Sequence, residues 1–547
     1  MFVHILFWGA AFLVGLAFVT QALGIFYYGV VLSIVLAAAV AALFFWRKPW
    51  LELLKNRQWK IDWFLVAVVI ISCLSLYQVH YHYTGQISYA LDAGVPYHEV
   101  KNMRYPYPYF SDEWYSAAFM KSSIASHGLP TVNPLGTGPF LNLELFTHSF
   151  LAELALLLGL DPVTGYALLS IAINALIILL AYLFLRLCKL SSPSSALAAL
   201  SMLYITAGAN LPGIWHLIPI TLGIVFIFMG FCFIALEDFW MSAAALFAAS
   251  LFYPLLFPFY GLALGIAFYP KHKKYVIAGI TAAVSLFLVA LFFPAGHFII
   301  SKLFYIPILG DFIPRLNPFY IIPWPVIILA ALALPWLYRN KKWLFFQIIL
   351  GILYWLCYAL AKQRVFLDYE RVVFFTSLLA CLAAGFGLEK VKEHVSPKIF
   401  TWAGMGILVL FFVAIPFYTN HAPWEKLEVV NRLDGSVLAP KPPANNYLTQ
   451  DDLHIFSTIK HKKFLSLPWK GTVIGVATDN YPAVTKEGTV SIGSTGTPEA
   501  FWQADCATKK AYAAQEKIEY VYLPAFDCPG FEKLAESSEG LVLYHAP

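Results

Sequence analysis

Charge is scarce in this sequence. Asp, Glu, Lys and Arg together make up 12% of its 547 residues, whereas hydrophobic residues make up 60%. This composition excludes an ordinary soluble domain, in which about a quarter of the residues are charged. The formal net charge is only +5, and the basic residues gather in short segments between apolar runs. That distribution is typical of membrane orientation signals, so we expect no nucleic-acid partner.

Motifs of the common soluble enzymes are also missing. The sequence contains no P-loop, no dinucleotide-binding glycine pattern, no GxSxG elbow and no HExxH pair in a supporting context. Seven cysteines are present, and none has the CxxC or Cys/His spacing of a zinc site.

Apolar runs fill most of the chain. A membrane-spanning helix needs roughly 20 mostly apolar residues, and the sequence supplies about thirteen candidates. They lie at residues 3–20, 24–46, 61–79, 163–187, 194–209, 213–236, 241–254, 256–270, 275–293, 319–338, 343–361, 371–388 and 399–418. We expect the first to be a retained helix, because it lacks the basic start of a signal peptide and a second span follows at once. The sequence therefore predicts a mainly α, polytopic α-helical membrane protein.

Five basic clusters set the predicted orientation. They lie at residues 47–60, 186–189, 271–274, 339–342 and 390–398. An even number of candidate spans separates each cluster from the next, so all five share one face, which the positive-inside rule makes cytoplasmic. We expect a plasma-membrane protein with a cytoplasmic N-terminus. The loops 80–162, 294–318 and 362–371 then lie outside, together with the C-terminus.

A change of composition near residue 420 marks a small domain. Residues 472–477, 489–493, 520–523 and 541–545 are typical of strands, and residues 498–516 and 530–537 of helices. We predict an extracytoplasmic α/β domain over 420–547, preceded by two extra helices (1–60) and a transmembrane core (61–419). Disulfides persist outside the cytoplasm, and Cys506 and Cys528 are the pair available in this domain.

The large outer loop 80–162 carries an acidic pair, Asp112-Glu113. The pair stands at the start of a predicted helix that runs to Gly128-Leu129-Pro130. By itself it has a structural explanation, because the helix dipole favours acidic residues in a first turn. A second predicted helix over residues 142–159 is amphipathic, and we expect it to lie in or dip into the outer interface.

This order of features resembles the GT-C superfamily of membrane glycosyltransferases, which includes protein O-mannosyltransferases, oligosaccharyltransferases and lipid A aminoarabinose transferases. In that family an acidic pair in the first large outer loop precedes a helix ending in His/Asn-Gly-x-Pro, then an amphipathic segment and the next span. Here Asp112-Glu113, Gly128-Leu129-Pro130, residues 148–153 and the span from about 163 fall in that order.

The resemblance implies a GT-C-like core over most of residues 61–418 and a polyprenyl-phosphate sugar donor. The sugar would pass to an acceptor hydroxyl on a protein, lipid or glycan at the outer face, among membrane lipids. Asp112 is then the expected catalytic base, with Glu113 beside it.

Two departures from the family bear on the mechanism. The outer turn 208–213 carries no acid, whereas some members hold a divalent metal there with a second acidic cluster. A divalent metal stays open, but the sequence does not support one, so we expect a reaction without a cofactor or metal. We also expect the transfer to be inverting. The Trp-Trp-Asp motif of the oligosaccharyltransferases is absent, which argues against that particular activity.

A departing lipid phosphate needs a cation, and four residues of the outer loops are candidates. Arg371 and Arg364 fall in the turn 362–371, and Arg315 and Lys302 in the loop 294–318. The planar guanidinium of Arg suits phosphate, although each residue has an ordinary alternative as an interfacial side chain. His148 and His216 are further candidates for substrate contact, although a lone histidine is more often simply hydrogen-bonded.

Two other classes remain open. A transporter or lipid flippase usually shows charges at the bilayer midplane and two similar halves, and the sequence displays neither feature. A non-catalytic lipid-binding scaffold would not depend on the carboxylate of Asp112.

Overall fold

The structure is a computed structural model that describes residues 2–45, 61–87, 98–109, 111–136, 144–207, 213–290, 292, 312–315, 321–361, 369–419, 428–431, 437–438, 447–485, 488–489 and 498–547. Its helices are α1 (Phe2–Ala22), α2 (Tyr28–Phe45), α3 (Trp63–Tyr81), α4 (Ser111–Ser126), α5 (Leu145–Leu158), α6 (Tyr166–Leu187), α7 (Ser192–Ser201), α8 (Pro219–Ala235), α9 (Phe239–Phe252), α10 (Phe257–Ala290), α11 (Trp324–Asn340), α12 (Lys342–Ala361), α13 (Tyr369–Lys392), α14 (Pro397–Ala414), α15 (Gln450–Ser457), α16 (Pro468–Ala477), α17 (Pro498–Gln503) and α18 (Cys506–Gln515). Its strands are β1 (Tyr83–Ile87), β2 (His98–Met103), β3 (Phe312–Arg315), β4 (Glu428–Asn431), β5 (Val437–Leu438), β6 (Lys463–Ser466), β7 (Tyr481–Pro482), β8 (Val484–Thr485), β9 (Gly488–Thr489), β10 (Tyr520–Pro524), β11 (Glu532–Glu536) and β12 (Leu541–His545).

Apolar helices dominate the chain up to α14. Among the described residues, α1, α3, α6, α13 and α14 are long and apolar enough to cross a membrane by length and composition. Shorter apolar helices accompany them, including α2, α8, α9 and α12. The predicted mainly α, polytopic membrane fold with a small C-terminal sheet is confirmed. The count of about thirteen spans stays a prediction.

The predicted spans 256–270 and 275–293 fall on one element, α10, which is broken into two helical parts at His272, where φ is −127° and ψ is 33°. The break lies between the two predicted spans, two residues after Pro270. The predicted end of the span 194–209 is wrong, because α7 ends at Ser201 and gives way to a 3₁₀ turn.

Helix α8 is buried on all sides. Every residue from Pro219 to Ile234 is buried, and the helix packs against α6 and α9. Its contact with α10 depends on Gly230, where a Cβ would lie 1.8 Å from the hydroxyl of Tyr260. Small residues allow such close approach between helices in a membrane, where dispersion contacts replace the hydrophobic effect as the main attraction.

The described part of the loop 80–162, which was predicted to lie outside, contains two paired strands and two helices. Strands β1 and β2 pair antiparallel, and a tyrosine-rich segment over 105–109 leads into α4. Helix α5 ends at Gly159, whose φ of 63° is the left-handed conformation that glycine adopts most readily. Both predicted helices of this loop are present, with α5 starting three residues later than predicted.

The C-terminal domain contains a five-stranded sheet in the order β11-β12-β10-β6-β7. Strand β6 runs parallel to β10 and β7, whereas β12 is antiparallel to β10 and β11. Strands β10 and β12 match the predicted strands 520–523 and 541–545. A disulfide joins Cys506, the first residue of α18, to Cys528 after β10.

Two predictions in this domain are wrong. Residues 472–477 were predicted as a strand and lie in α16, because two glycines let this segment pack as a helix. A Cβ would lie 2.1 Å from the carbonyl oxygen of Val484 at Gly471, and 2.7 Å from Pro482 at Gly475. Tertiary packing thus overrides the strand preference of a Val- and Ile-rich segment.

Residues 530–537 were predicted as a helix and contain the edge strand β11. Its Glu and Lys side chains favour a helix locally, but they also suit the exposed edge of a sheet, where charges oppose pairing with other chains. The predicted helix 498–516 is two helices, and Asp505 starts the second by accepting a hydrogen bond from the Thr508 amide at 2.7 Å.

Candidate active site

Asp112 lies in the first turn of α4, and its nearest described cation comes from another part of the chain. Nη2 of Arg371, near the start of α13, is 3.4 Å from Oδ2 of Asp112. The Asp112 side chain is 32% exposed and that of Arg371 is 19% exposed, so the pair remains accessible from outside. The structure therefore brings together the predicted base and one predicted phosphate ligand, which are 259 residues apart in sequence.

Tyr253 holds the guanidinium of Arg371. Nη1 of Arg371 donates to the Tyr253 hydroxyl at 2.6 Å, and Cζ lies 5.3 Å from the centre of the same ring. Tyr253 directly follows α9, so three separate helical elements meet at this point. A hydrogen bond and a cation–π contact to one ring fix the Arg side chain while leaving it close to Asp112.

Glu113 has a different environment from its neighbour. It is only 1% exposed, and both of its carboxylate oxygens accept backbone hydrogen bonds. The Tyr109 amide donates to Oε2 and the Leu217 amide donates to Oε1, each at 2.7 Å. This geometry joins the start of α4 to the segment before α8. The predicted chemical role of Glu113 is not tested, and the structure gives the residue a positioning contact.

The segment 213–218 before α8 is buried but not helical, so its backbone needs other partners. The Ser170 hydroxyl donates to the Trp215 carbonyl at 2.7 Å, and the Tyr166 hydroxyl donates to the Leu217 carbonyl at 2.5 Å. The Asn174 amide donates to the His216 carbonyl at 3.2 Å. Irregular backbone inside a membrane protein is tolerated where protein groups satisfy it, as they do here. The segment is therefore a fixed support for Glu113.

The two predicted histidines are both buried. His216 accepts a hydrogen bond at Nδ1 from the Gly213 amide at 3.2 Å, within the same buried segment. His148 on α5 lies against the rings of Tyr115 and Phe119, with centroid distances of 5.4 and 5.1 Å. Those two aromatic residues follow Asp112 by three and seven positions and so share its face of α4. The substrate contacts predicted for the histidines stay predictions.

The other predicted cations are Arg364, Lys302 and Arg315. Arg364 and Lys302 lie outside the described residues. Arg315 ends β3, whose backbone pairs antiparallel with β4 and sets Arg315 opposite Glu428. The structure describes only the backbone of Arg315, so its predicted phosphate contact is untested.

The C-terminal domain docks directly on the loop that carries the acidic pair. The Tyr447 ring stacks on Tyr105 with centroids 5.0 Å apart, and the Leu448 amide donates to the Tyr105 hydroxyl at 3.2 Å. Gln450 donates to the Tyr107 hydroxyl at 3.2 Å. Burial raises the pKa of Tyr105 well above its usual range, so this phenol stays protonated at neutral pH. The sequence feature that could have indicated this contact is the run Tyr-Pro-Tyr-Pro-Tyr over 105–109. The pattern of apolar spans and charges does not include it.

A second docking contact comes from α4 itself. The Lys121 ammonium donates to the Val476 carbonyl at 3.1 Å and to the Thr478 carbonyl at 2.9 Å, and it lies 3.4 Å from the Asp479 carboxylate. These carbonyls are at the C-terminal end of α16, where cations are favourable. The helix that carries Asp112 is therefore attached to the C-terminal domain at Lys121.

Within the described residues, no group of three or more His, Cys, Asp or Glu side chains is arranged to hold a metal ion. Residues 208–212 and 362–368 of the neighbouring outer turns are not among them. The prediction of a metal-independent reaction is thus not tested.

The fold and the site together define the class of protein. It is a polytopic α-helical membrane protein in which Asp112 and Arg371 meet at the ends of two helices, with a small α/β domain docked beside them. No protein-family profile matches the chain, and no curated protein sequence matches it. Solved structures do match over most of its length.

The similar structures are of membrane glycosyltransferases. The Archaeoglobus fulgidus oligosaccharyltransferase AglB, in complex with an inhibitory peptide and a dolichol-phosphate, has a TM-score of 0.46 and 11% identity, covering 85% of this chain and 69% of its own. The apo form of the same enzyme has a TM-score of 0.48 and 10% identity, and the match covers 85% of this chain and 70% of the enzyme. The arabinofuranosyltransferase AftD from Mycobacteria has a TM-score of 0.47 and 13% identity, covering 89% and 42%. At these TM-scores and identities the similarity concerns the course of the backbone alone, and it does not assign an activity to this chain.

Proposed function

We propose that the chain is a membrane glycosyltransferase that moves a sugar from a polyprenyl-phosphate donor to an acceptor hydroxyl at the outer face. The observation that carries the proposal is the contact between Asp112 and Arg371, a carboxylate and a guanidinium at the ends of separate helices. A lipid-linked sugar keeps its phosphate at the membrane surface, so both groups are where such a donor would react. The residue pattern that resembles the GT-C superfamily supports the same reaction class.

Asp112 acts as the general base. Its carboxylate accepts the proton of the acceptor hydroxyl while the hydroxyl oxygen attacks the anomeric carbon. The bond between that carbon and the phosphate oxygen breaks, and its electron pair leaves with the lipid phosphate. One displacement of this kind inverts the anomeric configuration.

Arg371 stabilises the departing phosphate. Its Nη2 lies 3.4 Å from Oδ2 of Asp112 and both side chains are partly exposed, and such pairs contribute only about 0–1 kcal/mol. Exchange of the carboxylate for a phosphate oxygen therefore costs little. A fixed guanidinium near developing negative charge lowers the barrier, and Tyr253 already orients it.

Glu113 supports the site without contacting the reacting atoms. Its two backbone hydrogen bonds fix the first turn of α4 against the segment before α8. A base must stay within hydrogen-bond distance of the acceptor, and this clamp maintains the position of Asp112 next to Arg371.

The test is a transfer assay in membranes with a panel of labelled polyprenyl-phosphate sugars. The wild-type chain is expected to transfer one of them, and Asp112→Asn is expected to lose that transfer. Asp161→Asn is the matched control in the same loop, because its side-chain oxygen can still accept from the Val163 and Thr164 amides. Equal transfer by wild type and Asp112→Asn would contradict the role of the base.

Three further parts of the proposal have separate readouts. Transfer is expected to survive chelation of divalent cations, and its loss on chelation would contradict the metal-independent mechanism. Tags at the N-terminus and after α18 should be accessible on opposite faces of the plasma membrane. Lipid movement across vesicles without transfer from any donor would instead support the flippase alternative.

A further inference from the structure

A cavity of about 200 Å³ lies between α11, α12 and α13. Its wall is almost entirely apolar, with Ile327, Leu334, Ile348 and Val373 among the lining residues. The rim residues Ala331 and Ile352 are exposed, so the cavity opens on the surface that a membrane would cover. It contains none of the residues assigned to sugar transfer, so a ligand bound in it is independent of that assignment.

Two polar atoms in this wall have no hydrogen-bond partner among the described residues. The indole Nε1 of Trp355 and the hydroxyl of Thr376 are buried, and neither makes a hydrogen bond within the part of the chain that the structure describes. Both residues line the cavity. Leaving a buried donor without a hydrogen bond costs about 1–3 kcal/mol. A ligand that brings an acceptor into this cavity would therefore recover part of that free energy for each donor.

The neighbouring residue shows that the arrangement at Thr376 is unusual. The Ser377 hydroxyl donates to the Val373 carbonyl at 2.7 Å, one turn back in the same helix. Such a bond is the usual way for a hydroxyl inside a helix to be satisfied. Gly351 provides the space beside Thr376, since a Cβ there would lie 2.0 Å from the Thr376 hydroxyl oxygen.

The depth of the cavity limits what can supply the acceptor. Thr376 follows Arg371 by five residues, which is about 7.5 Å along a helix axis. Arginine at a helix end lies among the headgroups, and each headgroup layer is about 5–8 Å thick. Thr376 therefore lies near the boundary between headgroups and hydrocarbon. In a diacyl phospholipid, the oxygen atoms at that boundary are the ester carbonyls.

We propose that this cavity binds a diacyl glycerophospholipid, with an acyl chain in the apolar cleft and an ester carbonyl accepting from Trp355 and Thr376. Each donor then gains an acceptor that the described residues do not supply. The lipid would fill the gap between α12 and α13 and hold α13 in register.

The test compares lipid binding to the purified full-length protein by native mass spectrometry. The probes are a diester phosphatidylcholine and its diether analogue, which has the same headgroup and chain length but no carbonyls. The wild type is expected to bind the diester more tightly, by about 5-fold for each hydrogen bond. Thr376→Val and Trp355→Phe should each weaken diester binding about 5-fold and leave diether binding unchanged.

Ser377→Ala is the matched control, because its hydroxyl is already bonded within α13, and it should change neither affinity. Equal binding of the two lipids by the wild type would overturn the proposal. So would variants that weaken both lipids alike, since that result would reflect packing alone. Displacement of the diester by polyprenyl phosphate would also overturn it, because the cavity would then belong to the sugar donor.

Discussion

Two ionic sites in this molecule differ in almost every physical respect. In the C-terminal domain, Nζ of Lys470 is 2.6 Å from Asp452 and 2.5 Å from Glu539, and its side chain is only 4% exposed. The Tyr522 hydroxyl donates to the other oxygen of Asp452 at 2.8 Å. At the helix ends, Nη2 of Arg371 lies 3.4 Å from Oδ2 of Asp112, and both side chains remain partly exposed.

The difference separates a structural ion pair from one that we propose is reactive. A buried ionic network cannot exchange partners without leaving a charge unpaired in a medium of low dielectric constant. A partly exposed pair at a longer distance loses little when a substrate replaces one member. By this criterion Lys470 stabilises the domain, whereas Asp112 and Arg371 are available for chemistry.

Removing the buried cation should have the largest effect. Lys470→Met leaves Asp452 and Glu539 buried without their partner, and we expect a loss of about 3–5 kcal/mol in the stability of the C-terminal domain. Pulse proteolysis of that domain would measure it. Lys533→Met removes an exposed pair with Glu536 and should have no measurable effect. Equal effects of the two variants would show that burial does not distinguish the sites.

Changing the accessible cation should affect activity and leave stability intact. Arg371→Met is expected to reduce transfer about 10²- to 10³-fold, the typical cost of removing one donor to developing negative charge. Arg371→Lys should retain part of the rate because it keeps the charge. Steady-state kinetics and thermal unfolding of the same preparations would measure both. Full activity of Arg371→Met would remove Arg371 from the mechanism.

The disulfide should contribute less than the buried cation does, and only to the stability of the C-terminal domain. Cys506→Ser with Cys528→Ser opens a link across a sequence separation of 22 residues. We expect the C-terminal domain to lose about 3 kcal/mol, mainly because its unfolded state is less constrained. The same proteolysis assay applies, with the free, exposed Cys357→Ser as the control. An unchanged domain in the double variant would contradict this expectation.

Removing the contact between α4 and the C-terminal domain should have the smallest effect on stability and activity. Lys121→Met removes two hydrogen bonds to the end of α16, and we expect a loss of about 1 kcal/mol in docking with a few-fold decrease in transfer. Asp479→Asn keeps both carbonyl bonds and should have less effect. Hydrogen exchange of the α16 amides would report the undocking. No change in exchange for Lys121→Met would show that docking depends on the tyrosine contacts alone.

Much of the fold was predictable from local patterns. Apolar runs predicted the positions of most apolar helices, although α7 ends at Ser201 and not at 209. The predicted helix 142–159 ends where α5 does, at Gly159, because burial and backbone conformation are directly reflected in a sequence. Local preference was wrong for α16 and β11. Each owes its conformation to a partner distant in the chain, and such a partner leaves no periodic signal.

The candidate site was predictable only in its residue types. An acidic residue after a span and an Arg at a helix start identified Asp112 and Arg371 separately. Their contact depends on how α4, α9 and α13 pack together, and the spacing of residues in the sequence does not indicate that packing. The same holds for Glu113, whose nearness in sequence to Asp112 indicated shared chemistry, although its partners are backbone amides from two other segments.

The most direct test of the central claim is the single-turnover transfer rate of purified Asp112→Asn at a saturating concentration of the polyprenyl-phosphate sugar that the wild type uses. Asn preserves the size and polarity of the side chain but cannot accept the proton. We predict a rate about 10²- to 10⁴-fold below wild type, with nearly unchanged donor affinity. A rate equal to that of the wild type would contradict the assignment of Asp112 as the base.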